Sequence, residues 1–206
     1  MEETRNRLRS AALARRSSLP PETCLSWSRS IQAKAIELPF YLAARSVALY
    51  CAVGNEVDTR PLIDHALCHG KKVFCPRSAR GDSAFFVRLN SEADLCVGRS
   101  GLPEPTGDAW MSAADIENLV VMVPGVLFDL QGNRLGRGGG WYDRALQWLG
   151  EKGIFVGLAY EWQVVVQLPA EVWDQRVHYL ITESRVIDCR VPSSARITRS
   201  TERGCC

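Results

Sequence analysis

No run of eighteen consecutive apolar residues occurs in the 206-residue chain, which excludes a conventional membrane-spanning helix. The first residues lack the short apolar core of a secretory signal. None of the cysteines (Cys24, Cys51, Cys68, Cys75, Cys96, Cys189, Cys205, Cys206) forms a C-x-x-C pair. A disulfide framework suits a shorter secreted chain, so the thiols read as reduced, small apolar residues. The terminal Cys205-Cys206 reads as a loose tail rather than a lipidation site. Charge of one sign is also scarce: 25 basic against 23 acidic residues leave a net +2. That argues against a bulk nucleic-acid binder, though not against a local basic pocket for a phosphorylated ligand. Neither nucleic acid nor membrane is expected as a partner. The expected location is cytoplasmic. The alternative is organellar import through the Arg/Ala/Ser-rich MEETRNRLRSAALARRSSLP, with which Glu2 and Glu3 sit badly.

Three nucleotide and hydrolase signatures are missing as well. The glycines do not fit G-x-G-x-x-G, no Gly-Lys-Ser/Thr closes a P-loop, and no G-x-S-x-G elbow is present. What the chain does have is alternation of helix and strand patterns. Helices are expected over 2–16 and from Pro20-Pro21 to about residue 36. Another follows Asp58 or Thr59 and closes at Gly70, and a last one covers 142–153. Apolar runs at 46–53, 71–76, 84–89, 154–160 and 177–182 read as strands, and 118–129 begins as another that ends at Pro124-Gly125. A strand, a helix and a strand of this length form a βαβ unit, hence parallel pairing. The fold class is therefore α/β, a mostly parallel sheet flanked by helices. Residues 97–115 read as a long loop or flap. One domain is expected over 1–189, with a disordered tail over 190–206.

The densest chemistry lies in NRLGRGGGWYDRAL, residues 133–146. A glycine run that opens a helix leaves N–H groups exposed, and these favour an anion. Arg134 and Arg137 add planar, charge-assisted donors. Asp143 could carry a hard cation such as Mg²⁺ beside phosphate, and Trp141 and Tyr142 offer flat faces to a heterocycle. The competing reading is a tight turn with Trp141 in the core. His65 and His69, four apart on a helix, have zinc-ligand spacing but no third ligand nearby, so a surface face is preferred. Glu56 and Asp58 follow the first strand and are either ligand contacts or turn and cap residues. Arg5 and Arg9 share a helix face, which by itself reads as a solvated basic face.

Several separated segments resemble one family, 5-formyltetrahydrofolate cyclo-ligase. They are RNRLR, NEVDTRPLI, GKKVFCPR, GLPEP, VPGVLFDLQGNRLGRGGGWYDRAL and LPAEVWD, in that family's order over roughly residues 5–187. The resemblance implies ATP- and Mg²⁺-dependent cyclisation of 5-formyltetrahydrofolate, possibly polyglutamylated, by a monomer. The product is 5,10-methenyltetrahydrofolate, with ADP and phosphate released. It implies a fold like the phosphosugar-isomerase and CoA-transferase group. By the same resemblance, ATP is held by Arg5, Arg9 and the segment Arg134, Leu135, Gly136, Arg137, Gly138, Gly139, Gly140, Trp141 and Tyr142. Arg134 and Arg137 are the catalytic candidates, and Asp143 and Asp174 hold Mg²⁺. Cys51 and Glu56 contact the folate, and Arg137 through Trp141 lie between the two substrates. Departures from the family pattern are Arg5 for a frequent Lys, Trp141 for Tyr, Gly139 for an occasional Lys, His178 for an acid, and Cys51 at an apolar contact position.

Overall fold

The computed structural model describes residues 1–78, 84–98 and 101–191. Most of the expected tail (192–206) and residues 99–100 of the 97–115 stretch lie outside the described residues; the rest of that stretch is not all loop, since Pro103–Pro105 is a strand. The helices are α1 (Glu2–Ser17), α2 (Pro21–Glu37), α3 (Pro39–Ala43), α4 (Arg60–Cys68) and α5 (Trp141–Leu149). The strands of the first half are β1 (Ser46–Ala48), β2 (Lys72–Ser78), β3 (Ala84–Leu89), β4 (Leu95–Val97) and β5 (Pro103–Pro105). Those of the second half are β6 (Leu119–Val123), β7 (Leu127–Asp129), β8 (Arg134–Leu135), β9 (Gly153–Leu158), β10 (Val164–Val165), β11 (Tyr179–Ile181) and β12 (Val186–Asp188).

A seven-stranded sheet runs β12-β11-β9-β6-β1-β2-β3. Its interior pairs are parallel, and only the two edge pairs are antiparallel. The β1-α4-β2 crossover is the expected parallel unit. Period-two alternation divides the side chains between the two faces. Val47, Val120, Met122 and Val156 pack in a core with Ile31 and Ala35 of α2 and Leu62 and Ile63 of α4. Ala48, Leu119, Val121 and Phe155 pack with Ala145, Leu146 and Leu149 of α5 on the other face. Cover on both faces explains why β6 reads as an unbroken apolar run.

Element ends differ from the sequence reading where side chains redirect the backbone. The 46–53 strand leaves the ladder after Ala48, although Leu49 N–H still donates to Phe74 O at 2.9 Å. The 118–129 run is two strands. Pro124, with no N–H for a ladder, ends β6, and the chain crosses into a small sheet of order β10-β7-β8. α5 stops at Leu149, earlier than expected, with Gly150 at φ 60°. Asp58 rather than Thr59 meets the start of α4, its Oδ1 accepting from Arg60 N–H at 3.1 Å. The Thr59 hydroxyl donates to Tyr50 O instead. His65 and His69 stack at 4.0 Å, with Tyr41 OH 3.0 Å from His65 Nδ1. No group of three metal-ligating side chains occurs among the described residues, which leaves the zinc reading without support.

The small sheet is organised by a carboxylate. Asp129 is 0% exposed. It accepts from the N–H groups of Gln131, Asn133 and Leu168 at 2.9, 3.0 and 3.0 Å, and from Asn133 Nδ2 at 2.8 Å. A buried carboxylate is tolerated when donors replace its lost hydration. Asp129→Asn puts an NH₂ against those donors. Roughly 2–4 kcal/mol of stability is expected to be lost, measurable by chemical denaturation. A loss below about 0.5 kcal/mol would show that the network is dispensable.

Candidate functional site

A cavity of about 730 Å³ opens where β1, β2 and β6 end, lined there by Tyr50, Cys51, Pro76 and Pro124. The carboxyl ends of parallel strands are the usual place for a ligand in such a sheet. The hairpin of β7 and β8 brings the glycine loop to the same cavity. Gly138 (φ 104°) and Gly140 (φ 61°) adopt backbone conformations that a side chain resists, and Gly140 is the residue from which α5 starts. The loop is therefore bare backbone at a helix N-terminus. Helix α1 crosses the other side. Its Leu8 and Ala12 pack on Val126, Leu127, Leu135 and Leu168, and Arg5, Arg9 and Arg16 reach from it into the site region.

Each arginine has a defined partner. Arg5 forms a two-armed bridge to Asp174 (2.6 and 3.3 Å) and donates to Pro169 O. Arg9 Nε donates to Gly136 O at 2.9 Å. Arg134 meets Asp143 Oδ1 at 2.7 Å, an oxygen that also accepts from Gln175 N–H at 3.3 Å. Arg137 Nη2 and Arg16 Nη2 both donate to Glu56 Oε1, at 3.0 and 3.3 Å, while Val53 N–H donates to Oε2 at 3.1 Å. The two Glu56 pairs are unequal. The Arg137 side chain is 53% exposed and the Arg16 side chain 6%, against a Glu56 that is 10% exposed. An exposed pair contributes about 0–1 kcal/mol. Removing one partner of a desolvated pair costs about 3–5 kcal/mol. Arg137 is thus the partner that leaves easily.

Two buried donors in the cavity wall have no hydrogen-bond partner among the described residues: Arg134 Nε and the Tyr142 hydroxyl. Burial pushes the Tyr142 hydroxyl well above its ordinary pKa and keeps it a neutral donor. Bare backbone N–H groups at a helix N-terminus, beside the guanidinia of Arg134 and Arg137, suit an anionic acceptor. Asp143 and Asp174 line the same cavity. Two carboxylates that rely on phosphate oxygens and water for the remaining positions are a donor set that suits Mg²⁺ rather than an all-protein cage.

Nearly all the residues singled out from sequence meet here. Arg5, Arg9, Cys51, Glu56, Arg134, Asp143 and Asp174 line the cavity, as does the run from Gly136 to Tyr142. Leu135 does not: its side chain is 1% exposed within the α1 contact, so only its backbone borders the loop. Trp141 lines the wall but also packs edge-on against Phe86 (5.3 Å) and Tyr142 (4.8 Å), so it serves core and cavity together. The Cys51 thiol is hydrogen-bonded to that of Cys75, which lowers its pKa from the ordinary value. Of Glu56 and Asp58, only Glu56 lines the cavity, while Asp58 accepts from Arg60 N–H at the start of α4. His178 is outside the cavity wall, its Nδ1 accepting from Phe155 N–H at 2.9 Å. Sequence reasoning missed Arg16, Glu104 and Trp173. For Arg16 the available signal was its spacing, seven and eleven residues after Arg9 and Arg5, which keeps all three on one helix face.

Comparison with known proteins places this geometry. The profile described as the 5-formyltetrahydrofolate cyclo-ligase family matches residues 1–183. The chain is 33% identical over 176 residues to 5-formyltetrahydrofolate cyclo-ligase of Escherichia coli, covering 84% of this chain and 96% of that protein. It is 30% identical over 197 residues to a probable 5-formyltetrahydrofolate cyclo-ligase of Schizosaccharomyces pombe, covering 89% and 97%. The NMR structure of Aquifex aeolicus 5,10-methenyltetrahydrofolate synthetase matches with a TM-score of 0.80 at 36% identity, over 91% of this chain and 94% of that one.

The Arg5–Asp174 bridge makes a pH-dependent prediction. Burial alone raises the Asp174 carboxyl; the Arg5 guanidinium and the Glu171 N–H outweigh it and hold the group below its ordinary pKa. A depressed folded pKa gives stability that is fully present above the unfolded value of about 4 and is lost as pH falls through the lower folded value. Asp174→Asn is expected to melt below wild type near pH 7, with the gap closing below about pH 4. Thermal melts across that range check it, and a gap that stays constant with pH would assign the loss to another cause.

Proposed function

This chain belongs to the 5-formyltetrahydrofolate cyclo-ligase family, and we propose that it closes 5-formyltetrahydrofolate to 5,10-methenyltetrahydrofolate at the expense of ATP. The observation that carries the reading is the convergence, in one cavity, of a side-chain-free glycine loop, the arginines Arg134 and Arg137, and the carboxylates of Asp143 and Asp174. Those are groups for a polyphosphate and its counter-ion, in the same cavity as Cys51 and Glu56, which would face the folate.

The chemistry needs no protein nucleophile. The formyl oxygen takes the γ-phosphoryl group of ATP, and ADP leaves. The 10-nitrogen of the folate then attacks the activated formyl carbon, and phosphate departs with the former formyl oxygen as the ring closes. Arg134 and Arg137 supply planar donors to the transferring oxygens. The loop N–H groups from Gly138 to Trp141 bind the phosphates without side-chain obstruction. Arg5 and Arg9 approach the nucleotide from α1. Glu56 accepts hydrogen bonds from pterin N–H donors, and Trp141 offers a flat face between the substrates. Asp143, helped by Asp174, would hold Mg²⁺, which when bound offsets phosphate charge.

The test is direct. Purified protein with 5-formyltetrahydrofolate and Mg-ATP is expected to develop the near-ultraviolet band of the methenyl product, and to lose that activity when ATP or Mg²⁺ is omitted. Asp143→Asn is expected to lower kcat on the order of 100-fold. Unchanged Mg²⁺-dependent turnover in that variant removes Asp143 from the metal role. Folate binding without product would reduce the protein to a binding homologue.

A further inference from the structure

Arg16 is outside the cavity wall, yet its guanidinium is the more deeply buried of the two that meet Glu56. It spans two elements that border the site. One Nη donates to Gly125 O at 3.2 Å, just after β6, and the other to Glu56 Oε1 at 3.3 Å, in the loop after β1. The same helix turn is tied to that loop by its backbone, since Asn55 Nδ2 donates to Arg16 O at 2.9 Å and to Leu19 O at 3.1 Å. The Glu56 backbone is fixed independently by Tyr160 OH, which donates to Glu56 O at 3.3 Å.

We propose that Arg16 is a positioning residue for the folate side of the site: it holds the Glu56 carboxylate in place when Arg137 leaves that carboxylate for phosphate. The inference rests on the proposed function, in which Glu56 meets the pterin and Arg137 the phosphoryl group. Arg137 cannot serve both partners with full strength. It sits on a glycine-flanked loop and is half exposed, so it exchanges readily. After it leaves, Glu56 keeps Val53 N–H on one oxygen and Arg16 on the other. The carboxylate stays held and aimed, with Oε1 relieved of one donor and open to a pterin N–H. A lysine at position 16 keeps the charge but lacks the planar fork that reaches Gly125 O and Glu56 together.

Steady-state kinetics on Arg16→Gln and Arg16→Lys, with each substrate varied in turn, separates this role from a structural one. Arg16→Gln is expected to raise the KM for 5-formyltetrahydrofolate about 10-fold or more, with the KM for ATP within about 2-fold of wild type, and Arg16→Lys to fall between. Equilibrium binding of 5-formyltetrahydrofolate is expected to weaken in the same order with a non-hydrolysable ATP analogue bound, and less without it, because Arg137 then still holds Glu56. If Arg16→Gln does not fold, Arg16→Lys carries the test alone. Equal rises in both KM values, or an unchanged folate KM in a folded variant, overturn the positioning role. A wild-type protein with no ATP-dependent turnover overturns the functional reading first, and the positioning role falls with it.

Discussion

Asp129 sets the geometry that the site depends on. Its carboxylate lies in the interior and is satisfied by N–H donors from both sides of the β7–β8 turn and from Leu168 beyond β10. Strands of two or three residues have little ladder to hold them, so the register of this small sheet comes from one acceptor rather than from pairing. Register matters because Arg134 is the first residue of β8, and Asn133, which both donates to Asp129 and accepts from Arg176 Nε, fixes where it begins. A slip of one residue would turn Arg134 to the opposite face. The glycine loop hangs from that strand, and everything it offers to a phosphate follows from a carboxylate that never touches the cavity.

Helix α1 is the second constraint. Its apolar contacts are few, Leu8, Ala12 and Leu13 against the small sheet, and modest beside the two large cores. The helix is instead fastened along one face by arginines: Arg5 to the loop holding Asp174, Arg9 to the glycine loop, Arg16 to the turns after β1 and β6. Docking of α1 and assembly of the site are thus one event. A helix held mainly by charge-assisted bonds to loops couples those loops to one another, which a helix held by packing on the sheet would not do.

Much of this was legible in the sequence because it rests on local rules. Period-two and period-3.6 patterns located the parallel sheet and its helices, and the glycine-arginine run located the phosphate-type loop. The failures have specific causes. The end of β6 at Pro124-Gly125 was legible from the proline, but the separate strand β7 beyond it was not, since burial in a second sheet demands the same residues as burial in the first. Strand β12 was missed because three residues on an antiparallel edge carry too little periodicity. Arg16 looked like one end of a helical stripe, and its partner Glu56 lies forty residues away, beyond any spacing rule. Asp129 read as part of a strand end, with nothing to mark a buried carboxylate that also ties in Leu168 from a loop about forty residues on. Leu135 fell inside a motif that contacts ligand mostly through backbone, so the motif marked it while its side chain went to the core.

The cavity brings arginines and carboxylates together in near-equal number, and three of the pairings are direct: Arg5–Asp174, Arg134–Asp143 and Arg137–Glu56. In the ligand-free protein this limits self-repulsion among guanidinia gathered for an anion. It also makes binding an exchange. On the proposed function a polyphosphate would compete with carboxylates for arginines already in place, so the protein would give up ion pairs as it gained charge-assisted bonds, and the net affinity would be smaller than the number of donors implies. What the arrangement gains is order. The exposed Arg137 pair yields at little cost, while the Arg5 and Arg134 pairs, with arginine side chains 11% and 4% exposed, hold the loop and helix against it. On that reading the element free to respond to a phosphate is Arg137, the exposed partner of Glu56.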